Sequence, residues 1–334
     1  MTAPVPMIRR RAVWLGILGV VLLAIGAYVA SVWAPDLPVE ALKTQYAPPP
    51  SQFITVNGLA VHLRDEGPRE DPMPIVLLHG TSSSLHTWQG WVDSLKATRR
   101  VIRLDLPGFG LTGPSKDNDY RMAAFVKTVI GVMDALGVQR AIVGGNSLGG
   151  GIAWHVAVAH PERVERLVLV DAVGYPFTSE SVPIGFRLAR IPVLRMLLQR
   201  MLPRSVVEQS VRNVFGDPSK VTPELIQRYY DITRREGNRA AVVARFKQEH
   251  ADPDTTAIRT IRQPTLILWG GNDHLIPPNN AVRFGRDIPG SKVVMFPELG
   301  HVPHEEDPAA TYKALHAFLA VPSRNPGTPE QGLR

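Results

Sequence analysis

Short apolar runs with little polar alternation recur along the chain: Ile75-Val76-Leu77-Leu78, Val101-Ile102-Arg103-Leu104, Ala141-Ile142-Val143, Leu167-Val168-Leu169-Val170, Thr265-Leu266-Ile267-Leu268 and Lys292-Val293-Val294-Met295. Such runs are expected of strands buried on both faces of a parallel sheet. Helical patterns separate them, at 121–136, 148–159, 279–286 and 308–319. Ahead of them, Phe53-Ile54-Thr55-Val56 and Leu59-Ala60-Val61-His62-Leu63 flank Asn57-Gly58, a strong hairpin signal. The alternation predicts a doubly wound, mostly parallel α/β domain. The run starts lie 26, 40, 26, 98 and 27 residues apart. One strand–helix–strand crossover takes only about 30 residues, so the longest interval holds an insertion of roughly 60–70. We place this helical lid at 176–260, above the carboxyl ends of the strands where ligands bind in open sheets. The core is then 53–175 with 261–320, and 321–334 is a flexible tail.

Residues 12–33 form an uncharged, mostly apolar run of 22, preceded by Arg9, Arg10 and Arg11. A helix of that length reaches roughly 33 Å, enough to span a bilayer core. Trp14, Tyr28 and Trp33 near its ends suit membrane interfaces, and the arginines favour a cytoplasmic N-terminus at 1–11. A cleaved signal peptide is the rival reading, but it needs a small-x-small site that Val32, Ala34 and Pro35 do not supply. The expectation is a single-pass anchor, in a bacterial inner membrane with the catalytic domain facing the periplasm. Pro35, Pro38, Pro48, Pro49 and Pro50 make 34–52 read as a stiff, solvated linker.

The net charge of +7 comes without a nucleic-acid-binding motif, so membrane proximity accounts for it better than nucleic acid. Within 176–247 there are 13 Lys/Arg against 6 Asp/Glu, so a lid that docks on anionic lipid is one reading. The absence of cysteine excludes disulfides, thiolate metal sites and a cysteine nucleophile.

The candidate chemistry centres on Gly144-Gly145-Asn146-Ser147-Leu148-Gly149-Gly150, a G-x-S-x-G turn between a strand and a helix. Glycine two residues to either side lets the backbone turn sharply and leaves Ser147 exposed at the apex. A serine hydroxyl needs a base, itself oriented by an acid. Asp273 follows the run at 265–268 and His301 follows that at 292–295, so all three fall on one edge of the sheet. Asp171, ending the preceding run, is the rival acid. The oxyanion would be held by the backbone N–H of Leu148 and by one after His79-Gly80, assigned to Thr81 with Ser82 as neighbour. His79 and Asp105 read as structural turn residues, and His155, His160, His274 and His304 carry no distinct role. No cofactor and no metal site are expected, since no Asp/His pair has recognisable ligand spacing.

These stretches together resemble the α/β-hydrolase fold over about residues 53–320: Leu78-His79-Gly80, Asp105 to Gly110, the serine turn, Trp269-Gly270-Gly271-Asn272-Asp273 and Leu299-Gly300-His301, in family order. The resemblance implies a serine hydrolase with the triad Ser147, Asp273 and His301. The main expectation is a carboxylic ester hydrolase acting on an apolar or lipid-like acyl ester. The serine turn also resembles that of carbon–carbon-bond hydrolases of diketone-type ring-fission products. Those usually carry a glycine-rich segment where Thr81-Ser82-Ser83-Ser84 stands, and a tryptophan soon after the histidine, where Val302-Pro303 stands. Ser147 argues against aspartate-nucleophile dehalogenases and epoxide hydrolases. Peroxide-using relatives and a non-catalytic binding protein on the same fold stay open.

Overall fold

The computed structural model describes residues 7–189, 191, 200–248 and 255–321. Eight strands among them form one sheet in the order β1-β2-β4-β3-β5-β6-β7-β8. They are β1 (Ser51–Val56), β2 (Leu59–Glu66), β3 (Ile75–Leu78), β4 (Val101–Leu104), β5 (Ala141–Asn146), β6 (Val164–Val170), β7 (Thr265–Gly270) and β8 (Lys292–Phe296). Pairing is antiparallel through β1, β2 and β4 and parallel from β4 to β8. Asn57 and Gly58 both take positive φ, 51° and 75°, as the tight turn of a two-residue hairpin requires.

Successive residues of the central strands face opposite sides, and each side is covered. Val76 and Leu78 join Phe125, Val129, Ile152 and Trp154, from the helices Met122–Ala135 and Leu148–Ala159, in one apolar cluster. Ile75 and Leu77 join Trp91, Leu95, Leu315 and Phe318 of Gln89–Leu95 and Pro308–Leu319 in another. This double coverage is why the central runs show no polar alternation. β8 departs from that expectation: it is the sheet's edge, and Lys292 and Val293 are exposed.

The helix Met7–Val32 contains a 20-residue apolar stretch, Val13–Val32, long enough to cross a membrane. Trp14, Leu15 and Leu23 are among its outward-facing side chains. The segment after it differs from the solvated linker expected at 34–52. It contains a helix, Val39–Tyr46, whose Leu42 and Tyr46 are buried with Leu111 and Ile232. The Tyr46 hydroxyl donates to Asp231 at 2.8 Å. The prolines bracket this helix without entering it, and its apolar residues four apart share one face that must be covered.

Between β6 and β7 lie the helices Ile184–Ala189, Arg204–Arg212, Pro223–Thr233 and Asn238–Gln248. The chain leaving the apolar helix pairs with this cap: Leu202 N–H donates to Val32 O at 2.9 Å and Ala34 N–H to Arg200 O at 2.9 Å. Several cap cations are held in ion pairs, Arg212 with Glu208, Arg228 with Glu305 and Arg239 with Asp36, which reduces the basic face expected from composition.

Candidate active site

β5 runs straight into the serine turn. Ser147 sits at φ 56°, ψ −116°, and its own N–H is bonded to Val170 O at 3.0 Å. A β-carbon on Gly145 would stand 2.2 Å from the Gly149 backbone, and one on Gly149 would stand 2.2 Å from Leu78 O. Both contacts are far inside van der Waals range, so this turn closes only with glycine at the two positions. The helix Leu148–Ala159 begins at the next residue, where the first backbone N–H groups have no partner within the helix.

Asp273 and His301 are brought together from the ends of β7 and β8. His301 Nδ1 lies 2.7 Å from Asp273 Oδ2, and both side chains are buried. The other carboxylate oxygen of Asp273 accepts N–H from Leu275 and Ile276, each at 2.9 Å. His301 is held in turn by its own N–H on Val214 O at 2.8 Å. Ser147 and His301 line the same cavity, of about 200 Å³. No hydrogen bond from Ser147 Oγ is formed among the described residues; such bonds commonly tighten only with substrate in place. Thr81 and Ser82 line the cavity too, and Ser82 takes φ 60°.

Of the two acids, Asp273 is the one that meets His301. Asp171 lies beneath them with Oδ1 accepting Gly270 N–H at 2.9 Å. Ligand atoms of Asp171, Asp273 and His301 fall within 4.8 Å of one another. The direct 2.7 Å contact between Asp273 and His301 is a hydrogen bond, closer than two ligands of one metal ion sit.

His79 and Asp105 are structural in this geometry. His79 Nε2 accepts Leu106 N–H at 3.0 Å while Nδ1 faces Gly80 O at 2.8 Å; burial lowers its pKa and keeps it neutral. Asp105 receives Leu85 and Leu111 N–H and pairs with His62. Burial alone would raise its pKa, but the His62 charge and hydrogen bond hold it well below the usual range. His155 bonds Gly151 O, His274 pairs with Glu180 at the surface, and His160 sits near Glu162. His304 is buried against Trp88, with Nε2 on Thr87 Oγ1 at 3.0 Å.

Two residues with no sequence signal prove central to the site's scaffold. The Asn146 side-chain amide donates to His301 O at 2.9 Å and Val170 O at 3.2 Å, tying the serine turn to the histidine loop. Glu306 accepts backbone N–H from Gly216, Asp217 and Gly300, clamping the cap onto the residue before His301. His301 and Val170 lie far from Asn146 in the chain, as Gly216 and Asp217 do from Glu306, so only the fold reveals these links.

The cavity walls are largely apolar, with Leu202, Val207, Val211, Val242, Leu275 and Val302 among them. Tyr229 adds a hydroxyl shared between Ser83 Oγ at 3.2 Å and Glu305 at 2.9 Å, and burial followed by the Glu305 charge pushes its pKa up. Arg239 also lines the cavity, but its guanidinium is engaged by Asp36 and by Ala34 O at 2.8 Å.

A serine held at a strained turn and the histidine of a buried Asp–His pair, lining one cavity under the cap, form an arrangement capable of nucleophilic chemistry. The chain belongs to the α/β-hydrolase fold family, whose model matches residues 73–308. A 2-hydroxymuconate semialdehyde hydrolase of Pseudomonas putida is 30% identical over 287 residues, 83% of this chain and 96% of that protein. A meta-cleavage product hydrolase from Pseudomonas fluorescens IP01 superposes with a TM-score of 0.70 at 25% identity, covering 80% of this chain and 97% of that one. A membrane phospholipase A, 24% identical, shares the fold over 92% of this chain and 98% of its own, with a TM-score of 0.68.

Proposed function

We propose that this protein is a serine hydrolase that cleaves a carbon–carbon bond beside a ketone, in a substrate of the 2-hydroxy-6-oxo-dienoate type. The observation that carries this reading is the kinship with the semialdehyde hydrolase across nearly its whole length, in line with the resemblance of the serine turn to that of carbon–carbon-bond hydrolases. It replaces the ester as the leading expectation, because the semialdehyde hydrolase and the meta-cleavage product hydrolase both favour carbon–carbon chemistry.

In this reading His301 takes the Ser147 proton as the oxygen attacks the ketone, and Asp273 holds the imidazole by Nδ1–H. The N–H groups of Leu148 and Thr81 stabilise the oxyanion. The leaving group is carbon, so the 2-enol must first ketonise, which lets the departing electron pair delocalise into the new carbonyl. His301 returns the proton, and water then releases the acyl group from Ser147 as a carboxylic acid.

An ester of an apolar acid is the second reading, favoured by one observation. The arginine that lines the cavity is already engaged by Asp36, which leaves apolar walls better suited to an uncharged acyl chain than to a carboxylate. The helix Met7–Val32 is read as a retained membrane anchor, supported by its apolar length and by the Val32–Leu202 hydrogen bond, which cleavage there would remove. Arg9, Arg10 and Arg11 favour a cytoplasmic N-terminus.

The test compares 2-hydroxy-6-oxohepta-2,4-dienoate, followed by loss of its conjugated absorbance, with p-nitrophenyl butyrate on the full chain in detergent. The expected result is a larger kcat/KM for the dienoate, abolished in Ser147→Ala. Turnover of the ester alone sinks the carbon–carbon reading. Failure of both, with no labelling by a fluorophosphonate probe, favours a binding protein.

A further inference from the structure

Two carboxylates meet beneath His301. Asp273 is well supplied as an anion: Oδ1 accepts two backbone N–H groups, and Oδ2 faces the imidazole. Asp171 is not. It is fully buried, its Oδ1 has the single Gly270 N–H, and its Oδ2 is a buried oxygen that meets no donor. The titratable groups facing it are Asp273, Glu306 and His301, and of these the two acids both oppose a negative charge on it. Its backbone is also held at φ 45°, in the left-handed region, so the fold maintains this placement against a local cost.

Two buried carboxylates with oxygens within 4.8 Å of each other oppose each other's ionisation, and a shared proton goes to the one with fewer donors. We infer that Asp171 is a neutral carboxylic acid whose Oδ2–H donates to the Asp273 carboxylate, making it a positioning residue that sets how strongly Asp273 supports His301. The orphaned oxygen then becomes the donor of a satisfied hydrogen bond. Burial first, and the Asp273 charge second, raise the Asp171 pKa well above the carboxylic range, in the same direction. A hydrogen bond received from Asp171 spreads the Asp273 charge and weakens its pull on the protonated imidazole, so the base stays unprotonated to lower pH.

The inference rests on the triad reading, and its test separates the two. Asp171→Asn keeps a neutral donor in place; Asp171→Val removes it. With p-nitrophenyl butyrate as acylation probe, the acid limb of kcat/KM against pH is expected to stay within about 0.2 unit in Asp171→Asn. It is expected to rise by about 0.5–1 unit in Asp171→Val. If Asp171 were ionised, removing its charge in Asp171→Asn would move the limb to lower pH; that outcome overturns the inference, as does an unmoved limb in both variants. Difference infrared spectroscopy on the full chain at neutral pH reads the proton directly, without turnover. A protonated-carboxyl C=O band lost in Asp171→Asn is expected, and its absence from the wild-type protein refutes the assignment even where the substrate reading stands or Asp171→Val fails to fold.

Discussion

Replacing Glu306 by glutamine tests whether a single buried carboxylate holds the cap on the histidine loop. Its side chain is inaccessible to solvent, and its oxygens accept N–H from Gly216 and Asp217 at 2.8 Å each and from Gly300 at 2.9 Å. Hydrogen bonds to a charged group contribute about 1.5–3 kcal/mol each. Glutamine keeps one acceptor oxygen and turns an NH₂ group toward at least one of the three donors. With the amide oxygen kept on Gly216 and Gly300, the Asp217 bond is lost and its N–H faces the NH₂ group, while the two remaining bonds no longer reach a charge, for a cost of about 2–4 kcal/mol. For a domain of this size that lowers Tm by roughly 5–12 °C. Because Gly300 adjoins His301, the loop loosens at the proposed base, and kcat falls on the order of tenfold while KM changes less. Thermal unfolding in detergent and steady-state kinetics on the same preparation provide the measurement. A Tm within about 2 °C of wild type, with unchanged kcat, refutes the clamp.

Two further outcomes are expected. Burial first, and the His301 charge second, push the His304 pKa down to about 3, so the unfolded chain takes up that proton near pH 6.5 and the folded chain does not. Its stabilisation is thus complete above pH 6.5 and falls as the pH drops, by about 1.4 kcal/mol per unit below pH 6. The Tm gap between wild type and His304→Gln should therefore narrow from pH 7.5 to pH 5.5; parallel curves contradict the reasoning. Weakening the Asp36–Arg239 pair by Asp36→Asn leaves more of the guanidinium's charge to the cavity, and should raise kcat/KM for a carboxylate-bearing substrate relative to a neutral ester by about tenfold. An unchanged ratio rules Asp36 out as a determinant of specificity.

The sequence by itself determined the local order of this protein. Runs such as Ile75–Leu78 are strands because both faces of the central sheet are covered, and that leaves a legible unbroken apolar pattern. The Asn57-Gly58 turn and the glycines around Ser147 are legible for the same reason: their backbone demands are met within a few residues. The tertiary structure decided everything that depends on partners remote in the chain. Lys292–Phe296 carries an apolar pattern, yet lies at an edge. The proline-flanked segment docks on the cap because Leu42 and Tyr46 find Leu111 and Ile232, more than sixty residues away at the least. Asp171 and Asp273 each end a strand and look alike as residues. Which of them meets His301, and which is left with an unpartnered oxygen, follows only from where β6, β7 and β8 stop beside one another. A pattern along the chain encodes burial and backbone conformation, while hydrogen-bond partnership between distant groups exists only once the sheet is assembled.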